Sequence, residues 1–242
     1  MMRNIKEIQN KALELLRAFD RICSANNIAY TLAFGSVLGA VRHNGFIPWD
    51  TDVDVVICID DALKLRRALD TELPTNMRLY KWDEEKCYSQ GFDRIAFKNI
   101  SHDEVHIDIF CLGGAPNDEK NYKKFSKKCY YTYMILHCKY RNLLYSRKRN
   151  RIAIICIKTC LFFVSDKYIK KKYKQLGTKY PYSTSIRTYI MCTKNRLNEP
   201  SNKEMIKETI RVPFEGLNLP IPKKFDEYLT KLYGDYMTPV RY

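Results

Sequence analysis

Three aspartates, Asp50, Asp52 and Asp54, stand two residues apart at the mouth of a β-branched apolar run that continues to Ile59. In a strand, successive side chains point to opposite faces. This spacing therefore puts the three carboxylates on one face and Val53, Val55 and Ile57 on the other. Crowded carboxylates repel one another, and burying them unpaired is costly. A hard divalent cation makes the arrangement favourable, because Mg2+ accepts a few carboxylates and leaves its other positions to water and substrate phosphates. The segment predicts a strand that carries a Mg2+ (or Mn2+) site.

The residues upstream suit such a site. Ile28 to Ala33 reads as a short strand, Phe34-Gly35-Ser36 as a turn and Val37 to Arg42 as a short helix. His43-Asn44-Gly45 then reads as a second turn leading into the aspartate strand at about 52–59. A glycine lets backbone approach a phosphate closely, a serine adds a hydroxyl donor, and a following helix aims its first amides at the same anion. Asp108 is a further acid inside an apolar strand, VHIDIFCL, from Val105 to Leu112. Carboxylates that hold Mg2+ beside a phosphate seat are what an in-line displacement at phosphorus requires. The cluster predicts phosphoryl or nucleotidyl transfer.

The remaining elements supply a scaffold of mixed type. Apolar residues at 5, 8, 12, 15, 16 and 19 make residues 4–26 an amphipathic helix rather than a leader sequence. Asp60 is expected to cap a helix running to about 72, with strands at 77–82 and 92–98. This alternation predicts an α+β fold, a mixed β-sheet with helices on at least one face. Residues 118–145 and 150–176 read as helices rich in Lys, Arg and Tyr, interrupted by the basic run 147–151. RVPFEGLNLPIP, residues 211–222, reads as two short strands around Glu215-Gly216, and KKFDEYLTKLYGDY as a final amphipathic helix. A soft division near residue 116 separates a catalytic core, 1–116, from a helical basic region, 117–242, whose C-terminal strands and helix pack back on it.

Charge and cysteine content bound the partners. With 42 Lys and Arg against 27 Asp and Glu, the formal charge is +15. The surface should attract polyanions: nucleic acid, an anionic bilayer or a phosphate-rich small substrate. Much of the excess lies in residues 122–174. Nine cysteines form no CxxC pair and no zinc spacing, and several, such as Cys58 and Cys111, sit in apolar runs. Reduced cysteines of this kind predict a cytoplasmic protein. Residues 152–164, IAIICIKTCLFFV, are too short to span a bilayer. They read either as a buried helix or as an interfacial helix that docks on anionic lipid at the inner face of the membrane.

The motifs carry a resemblance. Gly35-Ser36, then Asp52-Val53-Asp54-Val55, then an isolated strand aspartate resemble the DNA polymerase beta-like nucleotidyltransferase superfamily. GSVLGAVRHNGFIPWDTDVDV (35–55), HIDIF (106–110) and the tail PFEGLNLPIPKKFDEYLTKLYGDYMTPV (213–240) are similar to the LicD family, which includes the fukutin-type transferases. The likeness covers about 25–112 and 209–239 and leaves the basic middle unmatched. It implies the nucleotidyltransferase-type mixed β-sheet flanked by helices, and Mg2+-dependent transfer of a phosphocholine-like or polyol phosphate group. The implied donor is CDP-linked, and the implied acceptor is a hydroxyl of a cell-surface glycan or teichoic acid precursor, lipid-linked or free. It further implies that Asp52 and Asp54 bind the metal, with Asp50 joining them or orienting a ligand. Asp108 would be the third ligand or the base that takes the acceptor proton. Gly35 and Ser36 would cradle the donor diphosphate, and Arg42 and His43 would contact phosphate. Thr51 stands where many family members have a further Asp; its side chain should point away from Asp50 and Asp52, leaving metal binding unaffected.

Rival readings remain open. The same fold would serve a true nucleotidyltransferase that uses a nucleoside triphosphate. The basic, tyrosine-rich middle would suit a nucleic-acid-binding module, which leaves the aspartates unexplained. Arg94 and Lys98 share a strand face and either touch phosphate or are solvated. Glu215 and Gly216 are expected to shape a turn, and Asp226, Tyr228 and Tyr233-Gly234-Asp235 to pack or cap the last helix.

Overall fold

The amphipathic opening segment is realised as α1 (Ile5–Ala25), in which Leu15, Leu16, Phe19 and Ile22 are fully buried and Asn4 caps the first turn by accepting from the Lys6 amide. The computed structural model describes residues 4–86, 88, 90–140, 148–191, 203 and 207–238. Asn27, with φ of +50°, turns the chain into β1 (Tyr30–Leu32), which is followed by α2 (Phe34–His43) and β2 (Val53–Cys58). Then come α3 (Ala62–Glu72), β3 (Met77–Tyr80), β4 (Asp93–Phe97) and β5 (His106–Ala115).

The strands form a mixed sheet in the order β1-β2-β5-β4-β3, in which β2 and β5 are parallel and the other neighbours antiparallel. A sixth strand, β6 (Arg187–Ile190), pairs with the far end of β5. A parallel pair needs a crossover, which the segment containing α3, β3 and β4 supplies. The fold is thus α+β, as the alternation of elements predicts.

Period two sorts the side chains between two cores. Val53, Val55, Ile57, Ile107 and Ile109 join α1 and α3 in the core on one face. Val56, Phe92 and Phe110 face the other way, under α4 (Glu119–Tyr140) and α6 (Asp166–Gly177), which contribute Phe125, Leu136 and Tyr173. A hairpin of β7 (Thr209–Phe214) and β8 (Leu217–Pro222) turns at Glu215 and Gly216, both at positive φ, as a two-residue hairpin turn requires. The hairpin and α7 (Phe225–Tyr233) share the first core through Phe214, Leu219 and Tyr228. At the hairpin tip the Glu215 amide donates to the Asn44 carbonyl (2.9 Å), just beyond the end of α2.

Three local expectations change. Gly35 and Ser36 lie in the first turn of α2 rather than in a turn before it, because the chain enters the helix already at Phe34. Asp60 caps nothing: it lies in a 3-10 turn, Ile59–Asp61, and Asp61, at the N-cap of α3, makes no side-chain cap bond. The second basic helix is two helices, α5 (Lys148–Cys160) and α6, parted at 161–165. The basic run 147–151 therefore mostly opens α5 instead of breaking a helix, while its side chains, like Cys87 and Cys192, lie outside the described residues. The seven described cysteines are all free.

Backbone contact between α2 and the loop that follows it fixes the approach to β2. A Cβ on Gly39 would stand 2.4 Å from the Gly45 carbonyl oxygen and 3.3 Å from the Ile47 nitrogen. Neither backbone atom can swing aside as a side chain would. Gly39→Ala is expected to destabilise the chain by about 1–3 kcal/mol, read as a lower urea midpoint with an unchanged slope.

Candidate active site

The carboxylates gather at the mouth of β2, by a route that differs from the period-two expectation. The strand begins at Val53, so only Asp54 is a strand residue; Asp50 and Asp52 belong to the loop before it. The loop's own hydrogen bonds bring them in. The Asp50 amide donates to the Ile47 carbonyl (2.9 Å), and Gln9, buried on α1, donates from Nε2 to the carbonyls of Ile47 (3.2 Å) and Asp50 (2.9 Å). Asp50 then rests on the first turn of α2: a Cβ on Gly35 would lie 2.9 Å from its Oδ2. Asp50 and Asp52 hydrogen-bond to one another, and the Thr51 amide donates to Asp50 Oδ1 (3.1 Å).

Across the sheet, Asp54 on β2 stands opposite Asp108 on β5, which stands opposite Arg94 on β4. Equal register puts the three on one face. Arg94 Nε and Nη2 donate to the two Asp108 oxygens at 2.6 and 3.2 Å, and Nη1 donates to the His102 carbonyl (2.9 Å) and to Asp103 (2.8 Å). Arg94 and Asp108 are only 4% and 6% exposed, so this is a buried, bidentate pair. His106, two residues along β5, brings Nε2 within 3.7 Å of Asp108 Oδ1, and burial holds its pKa down.

Negative charge is concentrated here. Burial, then the hydrogen bond and the charge of Asp52, push Asp50 up to about 7, against the Thr51 amide. Asp54 keeps some solvent contact, yet protein crowds it. Its carboxyl is held well above the usual range by burial first and then by the charges of Asp52, Asp108 and Asp50, with Arg94 opposing.

The other expected site residues divide. Ser36 Oγ accepts from the Asp54 amide (3.0 Å), tying α2 to β2, and its own hydroxyl proton remains to donate. Phe34, at φ of +46°, enters α2 in the left-handed region, and its amide donates to the hydroxyl of buried Tyr228 on α7 (3.1 Å). Arg42 and His43 lie in the last turn of α2, about 10 Å along its axis from Gly35. Arg42 donates to the Tyr236 carbonyl (2.7 Å) and from Nε to His43 Nε2 (3.0 Å), so it anchors the chain beyond α7. Burial and the Arg42 charge hold the His43 pKa down. Of the residues whose roles were open, Arg94 joins the carboxylates and Lys98 is exposed beyond the end of β4.

Two positioning residues escape a reading of the sequence. Gln9 leaves one signal, a polar residue on the apolar stripe of α1 four residues after Ile5 and three before Ala12. The Tyr236 carbonyl leaves none, being backbone.

Hard oxygen donors of this kind suit a divalent cation, whose charge would offset the crowding of the carboxylates. Asp50, Asp52 and Asp54 fit that role chemically, and each Asp108 oxygen, accepting one bond from Arg94, keeps a lone pair for a ligand or a proton. Among the described residues, no three His, Cys, Asp or Glu side chains already stand grouped as a metal would hold them.

An α+β domain that gathers carboxylates beside the first turn of a helix suits the handling of phosphate groups, the chemistry of a class of transferases. Residues 27–151, a span that includes every candidate from Gly35 to Asp108, match the family described as LicD/FKTN/FKRP, nucleotidyltransferase domain. The chain belongs to that family and is a transferase of the LicD type. It is 27% identical over 251 residues to the lipopolysaccharide cholinephosphotransferase LicD of Haemophilus influenzae, an alignment that covers 96% of this chain and 91% of that protein. It is also 32% identical over 91 residues to the human ribitol 5-phosphate transferase FKRP, covering 37% of this chain and 18% of that protein.

The charges of the site have measurable consequences. Between the ordinary carboxyl value of 3.8 and about 7, the folded chain keeps a proton on Asp50 that the unfolded chain releases. The contribution of Asp50 to stability therefore falls as pH rises through that window. Asp50→Asn should remove this component, so the stability gained over wild type grows from about pH 4 to about pH 7 in urea titrations. Arg94→Met strands a buried carboxylate and is expected to cost about 3–5 kcal/mol. In the Arg94→Met, Asp108→Leu double variant much of that loss should return, which a double-mutant cycle measures.

Proposed function

We propose that the chain transfers a phosphorylated alcohol, phosphocholine-like or a polyol phosphate, from a CDP-linked donor to a hydroxyl of a glycan. The observation that supports this most is the convergence of Asp50, Asp52 and Asp54 on the first turn of α2, in a chain that aligns almost end to end with a cholinephosphotransferase. The ribitol 5-phosphate transferase relative extends the reading to polyol phosphates.

In the proposed reaction the acceptor hydroxyl oxygen bonds to the donor phosphorus that carries the alcohol. The bond from that phosphorus to the bridging oxygen breaks, and a nucleoside monophosphate leaves with the bond's electron pair. Asp52 and Asp54 are the proposed holders of a Mg2+ or Mn2+ ion, with Asp50 beside them. Such an ion, when bound, would neutralise the diphosphate and the charge that develops on the leaving oxygen. Asp108, oriented by Arg94, is the proposed acceptor of the hydroxyl proton. Gly35 leaves room for the Asp50 carboxylate against the first turn of α2, and the Ser36 hydroxyl is the proposed donor to a phosphate oxygen.

The test is a donor screen. With Mg2+, CDP-choline or CDP-ribitol and a glycan acceptor, CMP should be released in step with acceptor modification. Asp52→Asn or Asp54→Asn should lower kcat about a hundredfold or more. Pyrophosphate released from a nucleoside triphosphate, with the nucleotide left on the acceptor, would establish a true nucleotidyltransferase instead. No turnover of either donor type by folded protein that binds Mg2+ would overturn both.

A further inference from the structure

The carboxylate site leaves the basic middle of the chain unused. Residues 122–174 hold sixteen Lys and Arg against a single acid, Asp166, which pairs with Lys139 at 2.6 Å. Within this stretch α5 turns its apolar side chains outward: Ile152 is 73% exposed and Ile155 48%, while Ile154 is buried. The turn that follows carries Phe162 and Phe163 at 76% and 92% exposure, close to what an isolated side chain would show. Successive large apolar groups held in water mark a surface made to be covered.

The neighbouring helices are rich in exposed lysine. Lys127 and Lys128 on α4 and Lys167, Lys171 and Lys172 on α6 are exposed. Between α4 and α6 runs a groove of about 610 Å³, lined by Ile135, Leu161 and Val164, with Lys128, Lys172 and Lys179 also on its walls. Leu161 and Val164 bracket Phe162 and Phe163, so the aromatic pair sits on the turn that edges the groove. No described helix is long and apolar enough to cross a membrane.

We propose that this face docks on an anionic bilayer, with Phe162, Phe163 and the exposed isoleucines of α5 in the interfacial layer and the α4 and α6 lysines against lipid phosphates. Charge and apolarity together select this occupant. A second copy would bring two strongly positive faces together, and a nucleic acid would satisfy the lysines but leave the isoleucines and phenylalanines in water. The sequence leaves residues 152–164 divided between a buried and an interfacial helix; the exposure of α5 favours the second.

The full chain is tested by flotation with vesicles of phosphatidylcholine alone and with about one third phosphatidylglycerol. Wild type should float with the anionic vesicles, less so at high salt, and remain behind with the neutral ones. Phe162→Ser with Phe163→Ser, at exposed positions where the fold should survive, should lower partitioning about tenfold or more. Lys167→Glu with Lys172→Glu should lower it similarly. A Phe163→Trp variant should show a blue shift of its added emission only with anionic vesicles. Failure of folded wild type to bind anionic vesicles, or binding unaltered by the serine pair, would overturn the proposal. So would a wild-type dimer that the serine pair dissociates and that does not bind vesicles.

Discussion

Arg94 and Asp108 form two parallel hydrogen bonds between neighbouring strands, almost wholly out of water. The carboxylate site depends on this pair. Asp108 stands in register with Asp54, and the guanidinium supplies the positive charge that lets two acids share adjacent strands. It also fixes the pairing of β4 with β5. A slip of one residue would turn Arg94 toward the apolar face packed by α1 and α3 and leave Asp108 without its guanidinium. A buried pair of this type adds little net stability, but losing either partner is expensive. Its consequence is specificity of register.

Elements far apart in the chain hold the rest of the site. Gln9 of α1 grips the loop that carries Asp50, Tyr228 of α7 receives the first amide of α2, and the β7-β8 turn bonds to Asn44 behind it. These contacts hold Asp50, Asp52 and Asp54 together partly out of water, and burial first, then the neighbouring carboxylate charges, raises the pKa values of Asp50 and Asp54. The hairpin and last helix thus belong to the same core as the aspartate strand instead of forming an appendage.

The basic middle answers to different physics. The family match ends at residue 151, whereas the alignment with the cholinephosphotransferase continues over nearly the whole chain. Between the aspartate-bearing strands and the C-terminal hairpin, α4 and α6 cover the second face of the sheet with one side and offer lysines to solvent with the other. Under the proposed docking, an enzyme held at a bilayer would search two dimensions instead of three for a lipid-linked acceptor, and the exposed apolar side chains of α5 would be covered there.

Periodicity made much of this legible in the sequence. The stripe of α1, the alternation of Val53, Val55 and Ile57 with Asp54, and the acid inside VHIDIFCL all follow from 3.6- and two-residue repeats, which the local backbone dictates. Turn chemistry likewise marked Glu215-Gly216, where both residues need positive φ. Tertiary structure alone decided that Asp50 and Asp52 reach the site from a loop, since Gln9 and Gly35, distant in sequence, set that loop's position. It alone paired Arg94 with Asp108, because strand order and register are not encoded in either strand's own pattern. It also decided that α5 stays exposed: an apolar run is the same string whether a core or a membrane covers it, and only the packing of α4 against α6 leaves that face open.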